Sequence, residues 1–433
     1  MKNTMCKRKN NIYNKTIEMI KTSVIALSIA VSMALVSSCS TNENFVKNDF
    51  DRAEKQYTIM LDQSTDLTYF PRTTNKDGSV KGTDIWDWTQ GFFPGALWYV
   101  YEFNQKPEWK AAAEKWTEAL EEAKFLTQHH DIGFVMYCSY GNAIRLEKDP
   151  AKLKKYNDIL IQSAESALTR YDEKVGLIKS WNEKKSWDGK TTWQYPVIID
   201  NMMNLEMLFY VSKLTGDPKY KDVAISHALN TMKNHFREDF STYHVVDYDA
   251  KTGAVLHQQT NQGLADNSTW SRGQGWAIYG FTVMYRETKD ERFLNAAQKA
   301  ADFYINHENL PKDKIPYWDF NADQKGYKAD WDYEQRRMSY IPRDASAGSL
   351  TASALLELST YSKENGKKYF HNAEQMLKSL SSDEYLAKPG SNSGFILKHS
   401  VGSYPHNSEI DVPLIYADYY FLEALLRYKA LKK

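Results

Sequence analysis

Two carboxylates in apolar company are the first residues of this chain with the makings of chemistry. Asp200 stands in the run TTWQYPVIIDNMMNLEML, with Val197, Ile198, Ile199, Met202 and Met203 around it. A carboxyl in such surroundings is desolvated, so its pKa rises and it holds a proton near neutral pH, as a general acid must. Asp131 follows His129 and His130 at the head of another apolar segment. A second carboxylate that is better solvated or hydrogen-bonded stays charged, and it then favours a cationic, oxocarbenium-like centre. Helix starts favour Asp as a cap, so capping is the plainer role for both, and more so for Asp344 and Asp411. The run Trp270-Ser271-Arg272-Gly273-Gln274-Gly275-Trp276 offers rings and a guanidinium together. The alternative for it is core tryptophans with Arg272 paired to a structural acid. Trp86, Asp87, Trp88, Gln90 and Phe92 form a further polar and aromatic group, and His244 lies in the strand-like TYHVVDYD. No HExxH spacing, serine nucleophile elbow or phosphate-binding glycine loop is present.

Those residues need a scaffold, and periodicity supplies one. Helical spacing dominates and strand signals are sparse, which predicts helices near 48–66, 91–104, 109–126, 132–147, 151–171, 197–214, 218–235, 271–287, 290–306, 345–362, 366–382 and 411–431. Every second helix, such as GFFPGALWYVY or SAGSLTASALLEL, is apolar or small nearly all round, whereas its neighbours, such as EWKAAAEKWTEALEEAKFL, carry a charged face. Links from inner to outer helices are short, and most links from outer to inner helices are long. A helical hairpin repeated six times, with inner and outer rings, meets these conditions: an all-α (α/α)6 toroid with minor β structure in its loops. The long loops then gather at one end, and the candidate residues fall there.

Composition narrows the partners. The 433 residues carry 55 Lys and Arg against 55 Asp and Glu, so net charge is zero, which argues against nucleic acid or an anionic membrane as the main partner. Twelve Trp and 29 Tyr suit a thick core or a sugar-binding cleft. Lys2, Lys7, Arg8, Lys9, Lys15 and Lys21 precede an apolar run from Val24 to Val36 that ends Val-Ser-Ser-Cys39. This pattern resembles a bacterial lipoprotein signal over 1–39 with Cys39 lipidated, followed by a tether over 40–47 and a catalytic domain over 48–433. The expected location is the bacterial cell envelope, periplasmic or surface-facing, touching membrane only through that N-terminal lipid. Once the leader with Cys6 is gone, Cys138 is the one cysteine inside the domain, so neither an internal disulfide nor a thiol-built zinc site is expected.

Several motifs in order resemble one family. They are His130-Asp131-Ile132-Gly133-Phe134, Val197-Ile198-Ile199-Asp200-Asn201-Met202-Met203-Asn204, Trp270 to Gly280, and the stretch from Asp411 to Leu425, and together they are similar to the unsaturated glucuronyl hydrolases, glycoside hydrolase family 88. The resemblance implies an (α/α)6 barrel that removes a Δ4,5-unsaturated glucuronic acid from the non-reducing end of lyase-generated glycosaminoglycan oligosaccharides, by hydrating the C4=C5 vinyl ether. It implies Asp200 as general acid and base and Asp131 as second catalytic carboxylate. His244, Gln262, Trp270, Arg272 and Trp276 are the implied uronate-binding positions, and His130 beside Asp131, Trp88 and Phe92 are further substrate-binding positions, with no metal or organic cofactor. Ser400 and Ser403 match the region that meets the next sugar. Members favouring sulfated fragments place a basic residue just after these serines, where this chain has Pro405 and His406; Lys398 precedes them. A rhamnogalacturonyl hydrolase of the same chemistry acting on pectin fragments, and a non-catalytic glycan-binding lipoprotein, are the competing readings.

Overall fold

The computed structural model describes residues 45–432, which fall into a short N-terminal piece, residues 45–49, and a compact unit, residues 50–432. The leader and most of the tether lie outside the described residues; residues 45–47, expected in the tether, are helical. Among the described residues no helix is long and apolar enough to cross a membrane.

Twelve helical segments make up the larger unit. They are α1 (50–63), α2 (Phe92–Asn104), α3 (Pro107–Glu118), α4 (Ile132–Met136, continued through a π turn, Tyr137–Gly141, into Asn142–Leu146), α5 (Pro150–Leu168), α6 (a 3-10 turn, Ile199–Asn204, running into Leu205–Thr215), α7 (Lys219–Asn234), α8 (Ser271–Thr288), α9 (Glu291–Asn306), α10 (Ala345–Tyr361), α11 (Gly366–Leu380) and α12 (Ile415–Leu431). Each even helix packs on the next even helix, and α12 returns to α2, which closes the inner ring. The odd helices back onto it, as the sequence pattern required: α3 buries only Trp109, Ala113, Trp116 and Thr117, while α8 is buried continuously from Ser271 to Met284. The fold is the (α/α)6 toroid.

Hairpin turns are set locally. Lys289 and Gln105 take left-handed backbone after α8 and α2, Gly216 does so after α6, and Asp149 and Asp290 cap α5 and α9 with their carboxylates. Helical spacing misplaced two boundaries. The segment expected to be helical from 197 is extended to Ile198, because β7 (Pro196–Ile198) pairs with β8 (Val245–Tyr248), which in turn pairs with β9 (Val255–Gln259); the loops before it hold the shorter pairs β1 (Phe70–Thr74) with β2 (Val80–Thr83), β3 (Tyr171–Asp172) with β4 (Leu177–Ile178) and β5 (Lys184–Lys185) with β6 (Thr192–Trp193). The helix expected from 411 starts at Ile415, and Asp411 lies in β11 (Ser408–Val412), paired with β10 (Ser400–Ser403). Asp411 therefore caps no helix: its carboxylate meets His399 Nδ1 at 2.6 Å and accepts from Tyr340 at 2.5 Å.

The opposite end of the ring holds a charged, partly hollow core. Arg286 joins Glu206, Glu287 and Glu357, and Arg427 joins Glu357 and Glu423, around a cavity of about 360 Å³. Cys138 lines this cavity, and burial pushes its thiol pKa upward.

Candidate active site

Asp200 reaches its place through strand pairing. The register sets Ile198 opposite Val245, and Ile199 N donates to His244 O at 3.1 Å, so the chain turns into the 3-10 segment with Asp200 beside His244. The His244 ring is fixed from behind, because Nδ1 accepts from the backbone N–H groups of Asn261 (3.0 Å) and Gln262 (3.1 Å). That leaves the proton on Nε2, which faces Asp200 Oδ2 at 3.6 Å.

Asp131 sits at the head of α4, tied to α6 by Asn204. Asn204 Oδ1 accepts from Phe134 N at 3.1 Å, and its amide nitrogen lies 3.4 Å from His130 Nδ1. Glycine makes this approach possible: a Cβ on Gly133 would come within 2.5 Å of Asn204 Cα. The Asp131 carboxylate then lies 2.9 Å from His129 Nδ1 and 3.2 Å from His130 Nε2, and His129 Nε2 donates to Trp86 O at 2.9 Å.

The two buried carboxyls are pushed in opposite directions. Burial raises Asp200 to about 7, the Asp131 charge adds to this, and Arg272 and the Trp276 indole oppose it. Burial also acts on Asp131, but His130, which is charged only in the acid range where Asp131 itself titrates, and the hydrogen bond and charge of His129 outweigh it and hold that carboxyl below the ordinary value. Burial lowers His130 to about 4 and takes His244 well below its usual range, so both are neutral at pH 7. The outcome is a half-protonated acid facing a fixed anion, the division that acid–base catalysis at neutral pH requires.

The aromatic residues divide by exposure. Trp88 is partly exposed and packs on Phe92, Phe134 and Tyr416. Phe92 and Trp276 have no exposed surface, so they support Phe134 from beneath and present no face of their own to a sugar. Trp270 packs on His244 with ring centroids 4.6 Å apart.

Arg272 is committed elsewhere than expected. Its guanidinium lies 4.5 Å over Trp270; Nη1 donates to Asp344 Oδ2 (2.8 Å) and Val401 O (2.5 Å), and Nη2 to Gly402 O (2.6 Å). The two-pronged face that could grip a sugar carboxylate is thus turned onto Asp344 and the carbonyls of β10, leaving Nε without a partner. Asp344 uses its other oxygen to cap α10. Gln262 likewise donates from its side chain to Gly402 O at 3.1 Å, Ser400 is buried, and the Ser403 hydroxyl meets His406 Nδ1 at 2.6 Å.

Several buried polar atoms around this mouth have no hydrogen-bond partner: Asp200 Oδ2, His130 Nε2, His244 Nε2, Trp276 Nε1, Arg272 Nε and Ser400 Oγ. Such groups are costly unless something polar meets them, and a polyhydroxylated ligand would. Among the described residues no group of three or more His, Cys, Asp or Glu is arranged to hold a metal ion.

Sequence reasoning passed over Asn204, the brace between the two acid-bearing helices, although it lies one turn after Asp200 on the same segment. It also passed over Trp181, Lys184 and Trp187, which come from loops that carried no motif, and it singled out no role for Tyr416 of α12, which packs on Trp88 and lies under the Arg272 guanidinium.

Comparison with known proteins agrees with this geometry. Residues 60–428 match the profile of Glycosyl Hydrolase Family 88. The chain is 42% identical over 386 residues to an unsaturated glucuronyl hydrolase of Formosa agariphila, covering 89% of this chain and 91% of that protein. It is 32% identical over 395 residues to an unsaturated chondroitin disaccharide hydrolase of Streptococcus agalactiae, covering 88% and 91%. Its fold superposes on the crystal structure of an unsaturated glucuronyl hydrolase specific for heparin with a TM-score of 0.81 at 47% identity, covering 90% of this chain and 98% of that one.

Proposed function

The chain belongs to Glycosyl Hydrolase Family 88 and is a glycoside hydrolase of the unsaturated glucuronyl type, and from that premise we propose the roles of its residues. The substrate is a glycosaminoglycan oligosaccharide bearing a Δ4,5-unsaturated glucuronic acid at its non-reducing end. Protonated Asp200 gives its proton to C4 of the vinyl ether, and positive charge develops at C5 and the ring oxygen. Water adds at C5 while the Asp200 carboxylate takes a proton back, and the hemiketal collapses to a keto sugar, releasing the next residue. Asp131, kept ionised by His129 and His130, steadies the cationic centre and accepts from the sugar hydroxyls.

Neutral His244 donates from Nε2, and Trp270 and Trp88 border the ring. Because the Arg272 fork is engaged by the protein, its role here is to hold β10 in place and to hold Trp270 through cation–π contact. The paired-carboxylate distance rule for glycosidases does not apply, since the attacked carbon is C5. The observation that carries this reading is the split between a raised Asp200 and a lowered Asp131 within one cleft.

The test follows loss of alkene absorbance on lyase-generated heparin-, chondroitin- and hyaluronan-type disaccharides, with an unsaturated pectic disaccharide alongside. Wild type is expected to consume glycosaminoglycan substrates. Consumption of the pectic substrate alone would move the assignment to the rhamnogalacturonyl type, and no consumption of any would leave a glycan binder.

A further inference from the structure

Around the strand Ser400–Ser403, Lys398 and the arginines Arg272 and Arg336 are each engaged by the protein itself. Lys398 donates to Asp383 O at 2.8 Å. Arg272 is held as described, and Arg336 pairs with Asp332 and donates to Pro405 O at 2.9 Å.

Lys184 is different. It lies on β5 (Lys184–Lys185), whose partner strand is β6 (Thr192–Trp193), and its ammonium rests 4.6 Å from the Trp181 ring centroid. Its ammonium forms no ion pair or hydrogen bond among the described residues, and burial alone shifts it, down to about 8. A half-buried ammonium without an anion is an unusual arrangement, because desolvation is left uncompensated.

Its surroundings locate it. Trp181 packs against the His244 ring at 6.1 Å, so the ammonium is one indole away from the histidine that faces Asp200. The Lys184 charge acts on both His244 and His406. At the hairpin tip Trp187 donates from Nε1 to Asn261 O at 3.0 Å and packs on His406 at 4.7 Å, which joins the hairpin to the turn carrying Ser403. The cation therefore stands between His244, which faces Asp200, and the turn carrying His406.

We propose that Lys184, seated on the Trp181 face, binds an anionic substituent, a sulfate ester or sulfamate, on the sugar next to the unsaturated uronate. The proposal rests on the glucuronyl hydrolase reading. It puts the basic group for this sugar on the β5–β6 hairpin instead of after Ser403.

The experiment compares kcat/KM of wild type, Lys184→Gln and Lys184→Arg on two unsaturated disaccharides that differ only in one sulfate on the hexosamine, with thermal unfolding as a check on folding. Losing one charge-assisted contact is expected to lower kcat/KM on the sulfated substrate roughly 10- to 100-fold, at least several-fold more than on the unsulfated one. Lys184→Arg should restore most of the loss, and the salt sensitivity of the sulfated reaction should flatten in Lys184→Gln. Equal losses on both substrates, or none on the sulfated one, would overturn the proposal. A wild-type enzyme that consumes neither substrate fails at the underlying activity, before any variant is compared.

Discussion

Replacing Asp200 by Asn should stop the reaction and stabilise the protein, and the stabilisation should grow with pH. In the folded chain the Asp200 carboxyl titrates at about 7, against 3.8 when unperturbed. The unfolded chain therefore loses its proton first as pH rises, and linkage sets the sign: where the folded state binds more protons, stability falls with rising pH. The destabilisation is absent below about pH 4, grows between the two pKa values, and is complete above about pH 7. Converted at the usual free energy per pKa unit, it amounts to about 2 kcal/mol at pH 5 and about 4 kcal/mol at pH 8. Asn has nearly the same shape and no charge to desolvate, so its advantage over Asp should widen by about 2 to 3 kcal/mol between those pH values.

Denaturant unfolding of both proteins at pH 5 and pH 8 measures this difference, and taking it between pH values cancels any packing change common to both. The alkene assay on the same samples should show a rate loss of about 10² to 10⁴. A stability difference that is flat with pH, or one that shrinks toward pH 8, would refute the claim that Asp200 is held as a buried, proton-retaining acid. Loss of rate without the stability signature would leave Asp200 necessary for some other reason.

For wild type, kcat/KM should fall above pH 7 as Asp200 loses its proton, while the acid limb should lie below the ordinary carboxylate range because Asp131 is lowered. Asp131→Asn should cost about 100-fold or more in kcat/KM and also move the basic limb to lower pH, since the charge that helps raise Asp200 is gone; a pH profile of the residual activity checks both. Arg272→Met should destabilise the fold by about 3–5 kcal/mol in denaturant titrations, because it strands Asp344 in a fully buried site, and a second change of Asp344→Leu should recover part of that loss. Cys39→Ser should shift the protein from the membrane fraction to the soluble fraction of the producing bacterium, as expected if the leader is a lipoprotein signal.

The ring of hairpins was legible because its signal is local and repeated. A helix buried on every side, like 271–284, has no polar face, and a helix on the outer ring must have one, so the alternation of the two kinds prescribes two layers. Asp200 and Asp131 were legible for a related reason: ionisable groups stand out against Ile, Val and Met. What pattern could not supply was anything set by pairing between distant segments. The strand Pro196–Ile198 reads as helix until β8, almost fifty residues on, claims its hydrogen bonds, and Asp411 reads as a cap until β10 does the same.

Arg272 shows the division most sharply. Its type and spacing are equally suited to a sugar carboxylate and to a structural acid, and only the folded chain, by setting Asp344 and two β10 carbonyls against the guanidinium, decides between them. Lys184 is the converse, an ordinary lysine in sequence whose place on the Trp181 ring, without an anionic partner among the described residues, exists only in three dimensions. The sequence by itself determined the two rings of helices and which groups can ionise. Tertiary structure decided which of those groups are desolvated and which are neutralised, because both depend on neighbours that chain order does not reveal.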